Sequence, residues 1–300
     1  MTRLAEGVLR WVERSVGTGA RVVAVEELPP SSTEKHRIEL RDAAGSAHAV
    51  VLRRYHDAAR LSKDFAYVPS HEAESLRILG QTDVRAPTLI AADLAPDTCD
   101  VPAILETWIP GRSSFVPFGE LDLGRFLRGA AEALVAVHRV EAPDARLPPY
   151  RRYVEDGGPA VPAWSDDPGC WERVFAIVAG EPPPGPRRFI HRDFHGGNVM
   201  WAGGEVSGVV DWATACIGPP GIDLARMRLN LAGDLGADAA GGFTRAYVRA
   251  GGLERHRDPY WDLMDACDML TDSAAPIDAA EAASWARFEA WVAAVVAELG

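Results

Sequence analysis

Three oxygen-bearing side chains carry the most specific chemistry in this sequence: Asp193, Asn198 and Asp211. They lie within FIHRDFHGGNVMWAGGEVSGVVDW, residues 189–212. Val199–Trp201 and Val206–Val210 are short apolar runs joined through Gly203-Gly204, the pattern of a β-hairpin. On that reading Asp193 and Asn198 precede the first strand and Asp211 follows the second, so the three converge at one end of the hairpin. Phosphoryl transfer needs a carboxylate to orient the attacking hydroxyl and hard oxygen ligands for nucleotide-bound Mg2+. Asp193 suits the first role; Asn198 and Asp211 suit the second. Mg2+ keeps several waters, so one amide and one carboxylate suffice. The competing reading is a plain turn, where Asp, Asn and Gly gather for local hydrogen bonding. Apolar strands on both sides argue against it.

HRDFHGGN, followed by VVDW and GPPGIDLA, resembles the aminoglycoside phosphotransferase and choline kinase family, relatives of the protein kinases. The resemblance implies an α+β, bilobal protein-kinase-like fold, with a small N-terminal lobe built on an antiparallel sheet and a mainly helical C-terminal lobe. It implies Asp193 as catalytic base, Asn198 and Asp211 as metal ligands, and Asp223 as a structural residue. His191 is read as structural beside it, and His195 as part of the nucleotide-binding set. Gly196 stands where the family often has Pro, which predicts a slightly looser loop.

The elements that must position these residues follow from periodicity. Leu4, Val8, Leu9, Trp11 and Val12 predict an amphipathic helix over 3–16, and strands are expected over 22–28, 36–40 and 50–54. No Gly-rich loop occupies the first turn; Ser31, Ser32 and Thr33 either cover phosphates there or form a polar turn. Protein kinases place a phosphate-binding Lys on the third strand, whereas Lys35 and Lys63 are the only lysines here and neither falls in it. Arg53 occupies the matching place, and a guanidinium can grip phosphate bidentately. Arg53 and Arg54 point to opposite faces, so only one reaches the nucleotide. In the helix after Pro69-Ser70, Glu72 shares a face with Leu76 and Leu79, and a buried carboxylate there needs a cation such as Arg53. Strands near 87–91 and 101–108 run into Ile109-Pro110-Gly111, which resembles the family's hinge. Lobes are therefore expected at 1–107 and 108–300, with adenine bonding to backbone from Glu106 to Trp108. Residues 118–139 predict a core helix in which His138 is a satisfied buried histidine. Residues 144–168 read as a lobe insertion near the substrate entrance or a solvated loop. Helices are expected at 170–178 and after Asp223, with Trp285, Phe288, Trp291, Val292, Val295 and Leu299 forming a core stripe.

The chain has 300 residues, 47% of them hydrophobic, which is enough for a sizeable core. Its net charge of −12 argues against a nucleic-acid or anionic-membrane partner. Cys99, Cys170, Cys216 and Cys267 lack metal-site or CxxC spacing, so free thiols and a cytoplasmic location are expected. No basic-then-apolar leader or long apolar span is evident. From Asp258 to Ala286 there are seven acids and no Lys or Arg, with Asp262, Asp265, Asp268 and Asp272 on one side of a helix. The alternatives are a solvated acidic stripe or, by the resemblance, recognition of a cationic acceptor through Asp262 and Asp265. The expectation is a small-molecule kinase, monomeric or homodimeric, using Mg2+ and ATP or GTP to phosphorylate a hydroxyl of an aminoglycoside-like acceptor. A kinase of a metabolite such as a choline-like amine or amino sugar, or a nucleotide-binding pseudokinase, is the alternative.

Overall fold

The computed structural model describes residues 4–29, 32–65, 67–142, 146–153, 160–270 and 276–299. Ser31 and Asp272 lie outside the described residues. The chain divides into two compact units, Met1–Pro110 with Val210–Ala215, and Gly111–Val209 with Cys216–Gly300. The segment carrying Asp211 thus belongs with the N-terminal residues, a partition that linear sequence does not suggest.

In the N-terminal unit, strands β1 (Arg21–Glu27), β2 (Glu34–Arg41), β3 (Ala47–Arg54), β4 (Leu89–Asp93) and β5 (Ala103–Thr107) form one antiparallel sheet. Their order is β1-β2-β3-β5-β4. Helix α1 (Glu6–Val16) precedes the sheet, and α2 (Ala58–Lys63) and α3 (Pro69–Leu79) follow β3. The short α2, absent from the periodicity, starts because the Asp57 side chain accepts from Ala59 and Arg60 N–H. Alternation gives the sheet two unlike faces. Ile38, Leu40, Val50, Leu52, Ala103 and Leu105 pack with Leu4, Val8 and Val12 of α1 into an apolar core. The opposite face takes Lys35, Arg53 and Glu106, since Lys35 pairs with Arg53, Arg53 with Ile104, and Glu106 with Val51.

The C-terminal unit is mainly helical: α4 (Leu123–His138), α5 (Pro168–Val178), α6 (Gly221–Leu235), α7 (Ala237–Arg249), α8 (Pro259–Leu270) and α9 (Ala279–Leu299). Its strands are short: β6 (Arg112–Ser113), β7 (Arg188–Ile190), β8 (Val199–Ala202), β9 (Glu205–Val209) and β10 (Cys216–Gly218). Strands β8 and β9 form the expected hairpin, turning where Gly203 and Gly204 both adopt positive φ, 59° and 78°. Trp171, Val174, Leu263, Phe288, Val292 and Val295 centre the core, with Trp285 and Trp291 packed partly buried against it. Leu299 lies outside that stripe, 44% exposed. All four cysteines are free and buried. Burial pushes the Cys99, Cys216 and Cys267 thiols up to about 12.

Candidate active site

The polar face of the N-terminal sheet is a charge network built around Arg53. Its Nε lies 3.1 Å from Glu72 on α3, and its Nη2 donates to Asp211 Oδ1 at 2.8 Å. Arg53 is 2% exposed and Glu72 is fully enclosed, so each charge depends on the other. Tyr55 also donates a short hydrogen bond to Glu72. Arg54 points the opposite way, to Glu34 (2.8 Å) and Asp100 (2.6 Å). Lys35, which the sequence reading left aside, places Nζ 3.8 Å from Asp211 Oδ2. Its place was recoverable: counting back from the β2–β3 turn sets Lys35 opposite Arg53. Burial, reinforced by the Glu72 charge, pushes the Glu106 carboxyl up to about 8. Glu106 therefore keeps its proton at neutral pH, leaving two cations facing the carboxylates of Glu72 and Asp211.

Glu106 thus joins this network through its side chain, not only through its backbone. Trp108 N–H already donates to Ala49 O (3.1 Å) and Thr107 N–H to Thr88 O (3.0 Å). Those two donors are used inside the sheet, a restriction on the expected adenine contacts. The Trp108 ring is covered by Arg37, at 5.2 Å. Thr33 is buried.

In the C-terminal unit the HRDFHGGN stretch is a loop held from below. Both Asp223 carboxylate oxygens accept backbone hydrogen bonds, from His191 N–H at 2.8 Å and Arg192 N–H at 2.6 Å. Asp223 is fully buried, and His138 Nε2 adds a third contact at 3.1 Å. His138 is the satisfied core histidine the sequence predicts, and it also steadies the loop. The grip matters because Arg192 sits at φ 69°, a left-handed conformation that costs a non-glycine residue about 1–2 kcal/mol. Arg192 stacks its guanidinium on Tyr153 at 3.6 Å, donates a short hydrogen bond to the Arg151 carbonyl, and lies 3.4 Å from Asp268. The described part of 144–168 therefore packs onto the HRDFHGGN loop.

Past that anchor, Asp193 presents a carboxylate that is 38% exposed. Asn198 Nδ2 donates to the Asp193 carbonyl at 2.9 Å and approaches its Oδ2 at 3.3 Å. This fixes the amide's orientation: its NH2 group is turned to Asp193, leaving Oδ1 for a hard cation. That free oxygen suits a hard cation such as Mg2+. Asp211, in the N-terminal unit, presents a carboxylate that is 25% exposed. His191 is buried, and its Nδ1 accepts from Asp193 N–H at 3.3 Å. His195 Nδ1 accepts from Gly197 N–H at 3.0 Å, so in the neutral ring Nε2 carries the proton, 3.4 Å from Asp193 Oδ2. His195 therefore touches the Asp193 carboxylate, and its ring stacks on Phe115 at 5.0 Å. Burial opposes ionisation of Asp193, but His195 and Arg226 override it and hold the carboxyl well below its usual range. Gly196 has a role other than loosening the loop. A Cβ there would lie 2.4 Å from the Ser114 carbonyl, so glycine lets residues 114–115 close onto the loop.

The acidic helix is the main correction. Asp262 and Asp265 do not form an open stripe for a cationic acceptor; each is 1% exposed and already paired. Asp262 pairs with Arg228, Asp265 with Arg226 at 3.0 Å, and Asp268 with Arg192. Asp262, Asp265 and Asp268, one turn apart, thus face a ladder of arginines from α6 and the HRDFHGGN loop. The sequence shows no base near these acids because the bases come from elements 34 to 76 residues earlier. Arg226 was missed although it stands one turn after Asp223 on the same helix. Its Nε lies 3.8 Å from Asp193 Oδ1.

A sheet-based unit with a paired cation, and a helical unit with an aspartate–asparagine loop anchored by a buried aspartate, define a kinase-like phosphotransferase. Residues 26–260 match the model of the phosphotransferase enzyme family (APH), and the chain belongs to that family. Its fold is similar to three solved structures. One is a Ralstonia eutropha JMP134 protein provisionally described as an aminoglycoside phosphotransferase (14% identity, 99% of this chain and 98% of that one, TM-score 0.63). The second is the macrolide 2'-phosphotransferase MphH from Brachybacterium faecium (18%, 97% and 97%, TM-score 0.56). The third is a thermostable mutant of aminoglycoside phosphotransferase APH(4)-Ia with ADP and hygromycin B (14%, 95% and 98%, TM-score 0.61). A search of curated proteins returned no match.

Proposed function

We propose that this protein is a small-molecule kinase that moves the γ-phosphoryl group of ATP or GTP to an acceptor hydroxyl, with Mg2+ as the metal. The observation that carries this reading is the Asp193–Asn198 pair, set side by side on a loop that Asp223 anchors. Asp193 orients the hydroxyl and receives its proton late. A carboxylate held this acidic is a weak base towards a ground-state alcohol, and phosphoryl transfer through a loose transition state asks for orientation first. Asn198 Oδ1 and the Asp211 carboxylate would hold the metal, whose chemistry is to neutralise charge on the phosphates. Arg53 would bind phosphate, held by Glu72 as the kinase strand–helix pair is, and Lys35 would help it. Two of the proteins named above are a macrolide and an aminoglycoside phosphotransferase, which supports an antibiotic or related hydroxyl compound as acceptor. A cationic acceptor loses the support of Asp262 and Asp265, whose charges are matched within the fold. A metabolite kinase is the second reading. Four unpaired thiols suit a reducing compartment, and no helix among the described residues is long and apolar enough to cross a membrane.

A coupled ADP-release screen across antibiotics and amino alcohols identifies the acceptor. With that acceptor, Asp193→Asn is expected to lose about 10²–10⁴-fold in turnover while melting as the wild type does. EDTA should abolish transfer in the wild type. Near-native turnover in the variant would remove Asp193 from the reaction.

A further inference from the structure

The C-terminal unit holds a cavity of about 870 Å³ that neither Asp193 nor Asn198 lines. That volume lies within the range of small-molecule sites, roughly 300–1,000 Å³. Its buried lining includes His138, Tyr247 and His256, and its exposed lining includes Arg139, Arg187 and Arg188.

Among the described residues, the Arg187 and Arg188 side chains make no ion pair or hydrogen bond, and Arg139 reaches only the Ala250 carbonyl, at 3.4 Å. Every other lining side chain is neutral except Glu141, so the cavity carries a formal +2 in a protein of −12. The Arg188 charge acts on His256 and the Arg139 charge on Tyr247, both residues of the floor. Unpaired arginines around a concave pocket favour an anion, and phosphate oxygens match the planar guanidinium bidentately.

The floor is wired to the catalytic loop. Tyr247 OH lies 2.8 Å from His138 Nδ1 and 2.7 Å from His256 Nδ1. With His138 Nε2–H donating to Asp223, His138 Nδ1 accepts from Tyr247 OH, and the Tyr247 oxygen accepts from His256 Nδ1–H. One directed chain thus runs from the cavity floor to Asp223, whose carboxylate holds His191 and Arg192 in place.

We propose that this cavity binds a small phosphate-bearing anion through Arg139, Arg187 and Arg188, and that the occupied site steadies the catalytic loop through Tyr247, His138 and Asp223. Binding at this site is independent of the kinase reading; its effect on turnover rests on that reading.

The probe is inorganic pyrophosphate, titrated by calorimetry into protein saturated with AMP-PNP and Mg2+ so that the nucleotide site is filled. Saturable binding with a Kd below about 1 mM is expected, weakened about tenfold or more in an Arg187→Gln/Arg188→Gln double variant. Arg139→Gln should weaken it in the same direction and serves if the double variant does not fold. No saturable heat up to about 10 mM pyrophosphate, or equal affinity in wild type and variants, would overturn the proposal. The comparison is repeated without nucleotide, so a failure of AMP-PNP to bind counts against the kinase reading and leaves the anion site tested. In the kinetic arm, pyrophosphate should change wild-type ATP hydrolysis at nucleotide saturation and leave the double variant unchanged. An equal response in both would sink the coupling.

Discussion

Arg226 stands between two carboxylates with different tasks. Asp193 is partly exposed and is the proposed catalytic carboxylate; Asp265 is buried and balances the arginine's charge. The ion pair with Asp265 at 3.0 Å is off line for a hydrogen bond, so it works mainly through charge. Arg226→Gln would strand Asp265 in the interior, and removing one member of a buried pair typically costs about 3–5 kcal/mol. Adding Asp265→Asn should recover much of that loss, since the stranded charge goes too. Turnover should stay low in the double variant, because Asp193 then keeps His195 but loses the arginine that offsets its charge. Thermal melts and kcat for the two single variants and the double variant give the cycle. Recovery of both stability and kcat together would mean that Arg226 only supports the fold. His195 deserves the same treatment as a partner of Asp193, which its place in the motif did not disclose.

Strand β3 shows how a single element sorts adjacent charges. Arg53 and Arg54 are both buried, yet alternation sends one to Glu72 and Asp211 and the other to Glu34 and Asp100. Both alanine variants should lose stability, Arg53→Ala more, because Glu72 is fully enclosed whereas the Glu34 and Asp100 side chains are 21% and 57% exposed. Stability alone therefore does not separate their roles. The nucleotide KM does: it should rise for Arg53→Ala and stay near native for Arg54→Ala, and the reverse order would reassign the phosphate contact to the other face. This strand, α3 and the β8–β9 hairpin were legible in the sequence because their periods, two or 3.6 residues, report which side chains share a face. Helix α8 has the same kind of pattern, and there it misled. A helical projection places Asp262, Asp265 and Asp268 together but says nothing of what packs against them. Their arginine partners come from α6 and from the HRD loop, and only the tertiary fold brings them near. The membership of Asp211 in the N-terminal unit was hidden for the same reason.

Buried titratable groups tie the stability of the molecule to pH. Burial first, with neighbouring arginine charges adding to it, pulls His256 down to about 4 from its ordinary 6.5. Between those values the unfolded chain binds a proton that the native state refuses. Stability from this residue is thus fully present above pH 6.5 and lost as pH falls towards 4, by about 3 kcal/mol. Glu106, pushed up to about 8, acts in the opposite sense, losing stability as pH rises from its unfolded value towards 8. The difference between wild type and His256→Gln isolates the histidine: the variant's melting temperature should fall less steeply from pH 6.5 to 4. Equal slopes would show that His256 is not buried as a neutral ring. The four enclosed cysteines extend this to kinetics. Cys99 lies in the N-terminal unit, and Cys170, Cys216 and Cys267 lie in the other. A thiol that is both covered and held protonated reacts only when its surroundings open. Under native conditions a maleimide should therefore label all four slowly, and peptide mass spectrometry should resolve one rate for Cys99 and a separate, shared rate for the other three. Four independent rates would instead mean that each thiol is reached by local fraying. The sulfur atoms are in effect clocks built into the protein, one keeping time for the sheet and three for the helices.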